Sequence, residues 1–291
     1  MRRRLALVAA PLLLAVACAP AEKEESDPTV DSTGELTPGE GDCAPDQLPL
    51  KADGTLTIGT DSPAFEPWFA KNDPTNGEGF ESAVAYAVAE ELGFAEDEVT
   101  WVKVRFNNSY KPGPKDFDFD INQISITPER AEVVDFSDGY YSAAQGVIAL
   151  KDSPVADATS IAELAGYKLG AQTGSTSLTA IRDIIQPDED PLVFTDTNAA
   201  KQALQNGQVE AILADVPTAF YITAVEIPQG QIVGQFQPST GEQEEFGMLF
   251  EKDSELVPCV NAALAQMRED GTLADIEQEW LSDVVDVPVL E

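Results

Sequence analysis

Short apolar runs and helically spaced segments take turns along the chain from Gly54 to Leu281, and that alternation leaves few architectures open. Strands joined through helices pack best side by side in parallel, with the helices covering the sheet faces. Residues 54–60 alternate and contain glycines, so they read as a first strand. Phe80, Ala83, Val84, Ala87, Val88 and Leu92 keep helical spacing between Gly79 and Gly93. Further strands are expected at 99–106, 117–126, 146–150, 168–171, 211–215 and 246–250, and helices at 198–205, 257–270 and 273–281. Ser160 to Glu163 carries a capping-box pattern that opens another short helix. The fold class is therefore α/β with mainly parallel sheets flanked by helices. The 291 residues suit one large domain or two small ones, and no internal repeat is visible.

The first residues do not belong to that pattern. Arg2, Arg3 and Arg4 precede an apolar stretch, Leu5 to Val16, which is shorter than the roughly 20 residues of a membrane-spanning helix and suits a signal segment. Leu14-Ala-Val-Ala-Cys18 then resembles a bacterial lipobox, with Ala15 where leucine is commonest. The resemblance implies that residues 1–17 are a lipoprotein signal peptide and that Cys18 carries lipid, a firm anchor once more than one acyl chain is attached. Residues 18–47 are rich in Glu, Asp, Pro, Gly, Ser and Thr and are expected to form a disordered acidic tether. Disulfides persist in an exported chain, so Cys43 and Cys259 are expected to pair.

Composition excludes several functions. Seventeen Lys and Arg against 52 Asp and Glu give a net charge of −35, a surface that repels nucleic acid and anionic lipid headgroups. The chain has no histidine, which removes the commonest general base and metal ligand. No metal site or cofactor is expected.

Three segments carry binding chemistry. Thr173-Gly-Ser-Thr176 follows an expected strand and offers N–H groups and hydroxyls. Arg130 follows another strand end, and a guanidinium grips a carboxylate through parallel hydrogen bonds. Asp215 ends a strand where ligands of open α/β sheets bind, and a carboxylate there suits an ammonium group or a helix cap ahead of Pro217. Phe65 and Trp68 offer aromatic walls or core packing.

Gly59-Thr-Asp61, Gly79-Phe-Glu81, Ser125-Ile-Thr-Pro-Glu-Arg130, Val134-Asp-Phe-Ser137, Tyr140-Tyr141, Gly174-Ser-Thr176, Leu213-Ala-Asp215 and Asp270-Gly-Thr-Leu273 occur in this order. The ordered set resembles the family 3 extracellular solute-binding proteins, the polar amino acid receptors of ABC importers, over roughly residues 50–283. That resemblance implies a type II periplasmic-binding-protein fold. Its two lobes would comprise residues 48–143 with 240–285, and residues 144–239. Two hinge strands near 141–145 and 237–241 would join them and let them close on a ligand.

By the same resemblance, Arg130 binds the ligand α-carboxylate with help from Ser125, Ser175 and Thr176, and Asp215 takes the α-ammonium. Phe65 or Trp68 covers the ligand, and Asp61 can meet a cationic side chain. Asp120, Asn122 and Gln123 depart from the small or apolar residues common in that strand; Asn122 and Gln123 are placed to read the ligand. The expected protein is a monomeric, non-enzymatic receptor. It sits on the outer face of the cytoplasmic membrane, held there only by its lipid anchor, and delivers a polar amino acid to ABC permease subunits. A ligand-sensing module and a dehydratase-like enzyme are the alternatives on the same scaffold.

Overall fold

The computed structural model describes residues 36–237, 244–281 and 287–291. The signal segment, Cys18 and residues 18–35 of the expected tether lie outside the described residues.

The chain lays down β1 (Leu56–Thr60), α1 (Phe80–Glu91), β2 (Val99–Lys103), α2 (Phe106–Ser109), β3 (Phe119–Asp120), α3 (Pro128–Ala131) and β4 (Asp135–Phe136). It leaves this first lobe through β5 (Tyr141–Ala143). The second lobe follows as β6 (Gln145–Leu150), β7 (Leu169–Gln172), α4 (Thr176–Ala180), β8 (Leu192–Phe194), α5 (Thr197–Gln205), β9 (Ala211–Asp215), α6 (Val216–Tyr221) and β10 (Gly230–Phe236). The chain returns through β11 (Glu244–Phe246) and β12 (Leu249–Phe250), then ends the first lobe with α7 (Val257–Glu269) and α8 (Thr272–Leu281).

The sheets run in the orders β2-β1-β3-β12-β4 and β10-β6-β9-β7-β8. In the first, β1 is parallel to β2 and β3, and β12 is antiparallel to β3 and β4, so β12 alone opposes four aligned strands. In the second, β6 alone opposes the other four. This is the mainly parallel α/β arrangement that the alternation implies. β5 and β11 pair antiparallel as a two-stranded ribbon where the chain crosses between lobes. The second crossing, expected at 237–241, lies mostly outside the described residues.

Side-chain alternation assigns the cores. Along β6 and β9, Val147, Ala149, Ala211 and Leu213 enter one cluster, while Ile148, Ile212 and Ala214 enter another on the opposite face. The first lobe packs around Trp68, Phe69, Phe80, Phe119, Phe246 and Phe250, all fully buried. Each such side chain contributes about 1.5–3 kcal/mol by leaving water.

Three expected elements are shorter than their apolar patterns. The strand at 99–106 stops at Lys103, and Phe106 opens a helical turn instead. The segment 246–250 is split at Gly247-Met248 between β11 and β12. Only Phe119–Asp120 of 117–126 forms a strand, because Gln123 adopts φ 47°, in the left-handed region that a continuing ladder does not admit. Glu81 on α1 holds it there. One Glu81 oxygen accepts from the Gln123 backbone N–H at 2.6 Å and from Tyr140 Oη at 2.5 Å, and the other accepts from Gln123 Nε2. Glu81 is completely buried, and burial lifts its carboxyl to about 7 against these donors, which favour the charged form.

Two chain ends are tied down. Residues 36–47, assigned by composition to the disordered tether, form turns and a short 3₁₀ helix at Gly41–Cys43. The physical reason is the Cys43–Cys259 disulfide, with Cα atoms 5.4 Å apart, which fastens this polar segment to α7. At the other end, Leu290 is buried in the second-lobe core, and its N–H donates to Gln235 O at 2.9 Å. The terminal segment therefore packs on the second lobe, although Leu281 of α8 belongs to the first-lobe core. A Cβ at Gly234 would lie 2.6 Å from Leu290 Cγ, so this docking requires glycine there.

The double variant C43S/C259S is expected to lose about 2–5 kcal/mol of unfolding free energy in urea titrations while keeping its far-ultraviolet spectrum. Glu81 gives a signed pH dependence. Its folded pKa of about 7 exceeds the ordinary 4.5, so the folded state binds the proton more tightly and stability falls as pH rises through that window. Asp120, also raised by burial, acts with the same sign. E81Q removes one titration: between about pH 5 and pH 8 the wild type is expected to lose on the order of 2–3 kcal/mol more than the variant. Parallel stability curves would contradict this.

Candidate functional site

The C-terminal ends of β1, β7 and β9 face one another across the two lobes, where ligands of open α/β sheets bind. Between them lies a cleft with about 590 Å³ of empty space, part of it open to solvent. Asp61, Phe65, Phe106, Asn122 and Gln123 line it from the first lobe, and Ser175, Thr176, Asp215 and Thr218 from the second.

The walls touch. Trp68 Nε1 donates to Thr218 Oγ1 at 2.8 Å, Ser125 Oγ lies 3.3 Å from Thr176 Oγ1, and Arg130 Nη2 donates to Gly174 O at 3.0 Å. The Lys201 ammonium sits 5.6 Å from the Phe65 ring centroid. Each contact joins one lobe to the other, so the cleft is described in a closed arrangement.

Arg130 is presented by a local device. Thr127 accepts from the Arg130 backbone N–H at 3.2 Å, and Pro128 starts the four-residue turn of α3. The guanidinium is buried. It stands 4.8 Å from the Tyr110 ring centroid and 5.5 Å from that of Phe106, and its other terminal nitrogen donates to Ser125 O at 2.7 Å. Among the described residues it makes no ion pair. Burial lowers its pKa while nearby Tyr110 and Glu244 oppose that shift.

Asp215 stands at the N-cap of α6, but its side chain makes no capping hydrogen bond, so its carboxylate remains available to the cleft. Burial pushes that carboxyl well above the ordinary range, and the charge of Glu244 adds to the shift. The buried Gln145 amide lies between the two acids: Nε2 donates to Asp215 Oδ1 at 2.9 Å and to Glu244 Oε2 at 3.0 Å. Ser177 Oγ donates to Gln145 Oε1 at 2.5 Å, and Ser125 Oγ donates to Glu244 Oε1.

The remaining expected residues divide by what they touch. Phe65 lines the cleft; Trp68 is fully buried beneath it, edge-on to Phe80, Tyr141 and Phe246 at 5.9, 5.5 and 5.6 Å, so it is not a wall of the cavity. Asp61 reaches the cleft, but its two oxygens accept backbone N–H groups of Ser62 at 2.6 Å and Phe106 at 3.0 Å. Ser175 spends its hydroxyl on the start of α4, accepting from Leu178 N at 3.1 Å and donating to Gln172 O at 2.8 Å. Asn122 Nδ2 is buried, faces the cleft and has no acceptor among the described residues. An unpaired buried donor costs about 1–3 kcal/mol, which an acceptor on a ligand would recover.

Phe106, Gln145 and Glu244 escape the sequence reading of the site. Phe106 falls inside the strand expected at 99–106, which stops at Lys103; an aromatic just beyond a strand's C-terminal end is the signal that finds it. Gln145 and Glu244 come together through pairing of β5 with β11 across a long sequence separation, and neither has a local motif.

The chain is similar to known proteins. The model of the bacterial extracellular solute-binding proteins, family 3, matches residues 56–283. The ABC transporter glutamine-binding protein GlnH of Bacillus subtilis (strain 168) is 30% identical over 220 residues, covering 74% of this chain and 77% of that protein. Among solved structures, an ancestral arginine-binding protein bound to glutamine is 31% identical with TM-score 0.67, over 79% of this chain and 99% of that one. The ancestral amino acid-binding protein AncCDT-1, a precursor of cyclohexadienyl dehydratase, is 30% identical with TM-score 0.65, over 78% and 95% of the two chains. With its paired α/β lobes and the cleft between them, the chain belongs to the family 3 bacterial extracellular solute-binding proteins.

Proposed function

We propose that this protein is a lipid-anchored extracytoplasmic receptor that captures a polar amino acid between its lobes and delivers it to an ABC-type importer. The observation that carries the reading is a closed cleft lined by Asp215, beside which the buried guanidinium of Arg130 joins the two lobes through Gly174 O. A zwitterion complements that pair: its carboxylate meets Arg130 and Thr176, and its ammonium meets Asp215. Phe65 and Phe106 cover the side chain, and Asn122, Gln123 and Asp61 read it. Ligand contacts made from both lobes favour the closed form, which is the form that docks on permease subunits. Cys18 supplies the anchor.

A dehydratase-like enzyme is the second reading. It is favoured by the similarity to AncCDT-1 and by buried carboxyls, Glu81 and Asp215, that hold protons more tightly than usual. Recovery of the bound amino acid unchanged after prolonged incubation separates a receptor from such an enzyme.

Thermal-shift screening of free amino acids tests the main reading. A ligand at 100 times its Kd is expected to add about 2.7 kcal/mol of stability. R130A is expected to weaken the best hit by on the order of 100-fold through loss of the paired carboxylate contact. No shift from any amino acid, or unchanged affinity in R130A, would overturn the assignment.

A further inference from the structure

Glu244 is buried at the start of the returning hinge strand, and none of the family motifs in the sequence includes it. Its carboxylate has two partners among the described residues. Ser125 Oγ meets one oxygen, and Gln145 Nε2 meets the other at 3.0 Å. A carboxylate only accepts hydrogen bonds, so both partners must donate.

The consequence for Ser125 follows from its inventory of one proton and two lone pairs. With the proton committed to Glu244, Ser125 Oγ presents only lone pairs to its remaining neighbours, among them Thr176 Oγ1 of the cleft lining, 3.3 Å away. It is then unable to donate to a ligand carboxylate, the role that family resemblance suggests, and is suited to accept from an ammonium. Gln145 is oriented by the same logic. Its NH₂ has two protons, and two carboxylates take them, Asp215 at 2.9 Å and Glu244 at 3.0 Å. Its carbonyl accepts from Ser177 Oγ at 2.5 Å, which fixes the amide the other way round. One oxygen of Asp215 is thereby held against Gln145, leaving the other to the cleft that Asp215 lines.

We infer that Glu244 is a positioning residue of the ammonium subsite: it takes the Ser125 proton and one Gln145 proton, turning the Ser125 oxygen and the Asp215 carboxylate toward a ligand cation. Its negative charge also favours that cation from behind. The inference rests on the amino-acid reading above and concerns which end of the zwitterion Ser125 serves.

The probes are the amino acid giving the largest thermal shift and the α-hydroxy acid with the same side chain, titrated by calorimetry into wild type, E244Q, E244D and S125A. E244Q is expected to weaken the amino acid by on the order of tenfold with little change for the hydroxy acid, shrinking the preference for the amine by the same factor. E244D, which keeps the charge, recovers part of it. S125A leaves Glu244 in place and is expected to weaken the amino acid selectively as well, so the test survives if E244Q melts too low without ligand to be titrated. Equal losses for both probes in S125A, as expected for a hydroxyl that serves the carboxylate, overturn the inference. So does an unchanged preference in E244Q that folds. Failure of every amino acid to bind wild type sinks the amino-acid reading and this inference with it.

Discussion

One amide nitrogen, Gln145 Nε2, donates to two carboxylates, and the centre of the molecule is organised around it. Gln145 begins β6, just after the chain has crossed into the second lobe; Glu244 begins the strand that brings it back; Asp215 ends the strand beside β6. Their meeting places acid groups in the closed cleft, with buried Arg130 turned to backbone carbonyls rather than to any of them. Buried charge of one sign is costly unless it is paired. On the proposed reading, the ammonium of an amino acid would pair with these acids and contribute to the driving force for binding.

The same economy explains the core beneath the cleft. Trp68 is anchored edge-on among Phe80, Tyr141 and Phe246, and its single polar atom reaches Thr218 of the opposite lobe. An aromatic body in one lobe thus reports directly on the position of the other. Glu81 plays a comparable part at lower depth: one carboxylate fixes the left-handed Gln123 that lines the cleft and the Tyr140 hydroxyl at the entrance to the hinge. Site and hinge therefore share supports.

Much of this was legible in the amino-acid order. Alternating apolar runs gave the mixed α/β lobes, and the two later cysteines gave the Cys43–Cys259 bridge. Asp215, Thr176 and Asn122 line the cleft, because each ends or closely follows a strand, and Arg130 stands beside the lining residue Phe106. What escaped was non-local. No period in the sequence says that Gln123 leaves the β region, since Glu81 enforces it from 42 residues away. Composition alone makes residues 36–47 a tether, and only the disulfide makes part of them structure. Leu290 looks like a stray apolar residue until Gly234 provides the space to seat it. Trp68 and Phe65 look equivalent along the chain, but the packing of α1, β5 and β11 against Trp68 buries it.

A cleft that recognises both ends of a zwitterion must lose affinity when either charge is removed. Isothermal titration of one bound amino acid against its N-acetyl derivative and its methyl ester tests it most directly, because each derivative cancels one charge. The account expects one-to-one binding of the free amino acid and a loss on the order of 100-fold or more for each derivative. A derivative that binds as tightly as the free amino acid would contradict it.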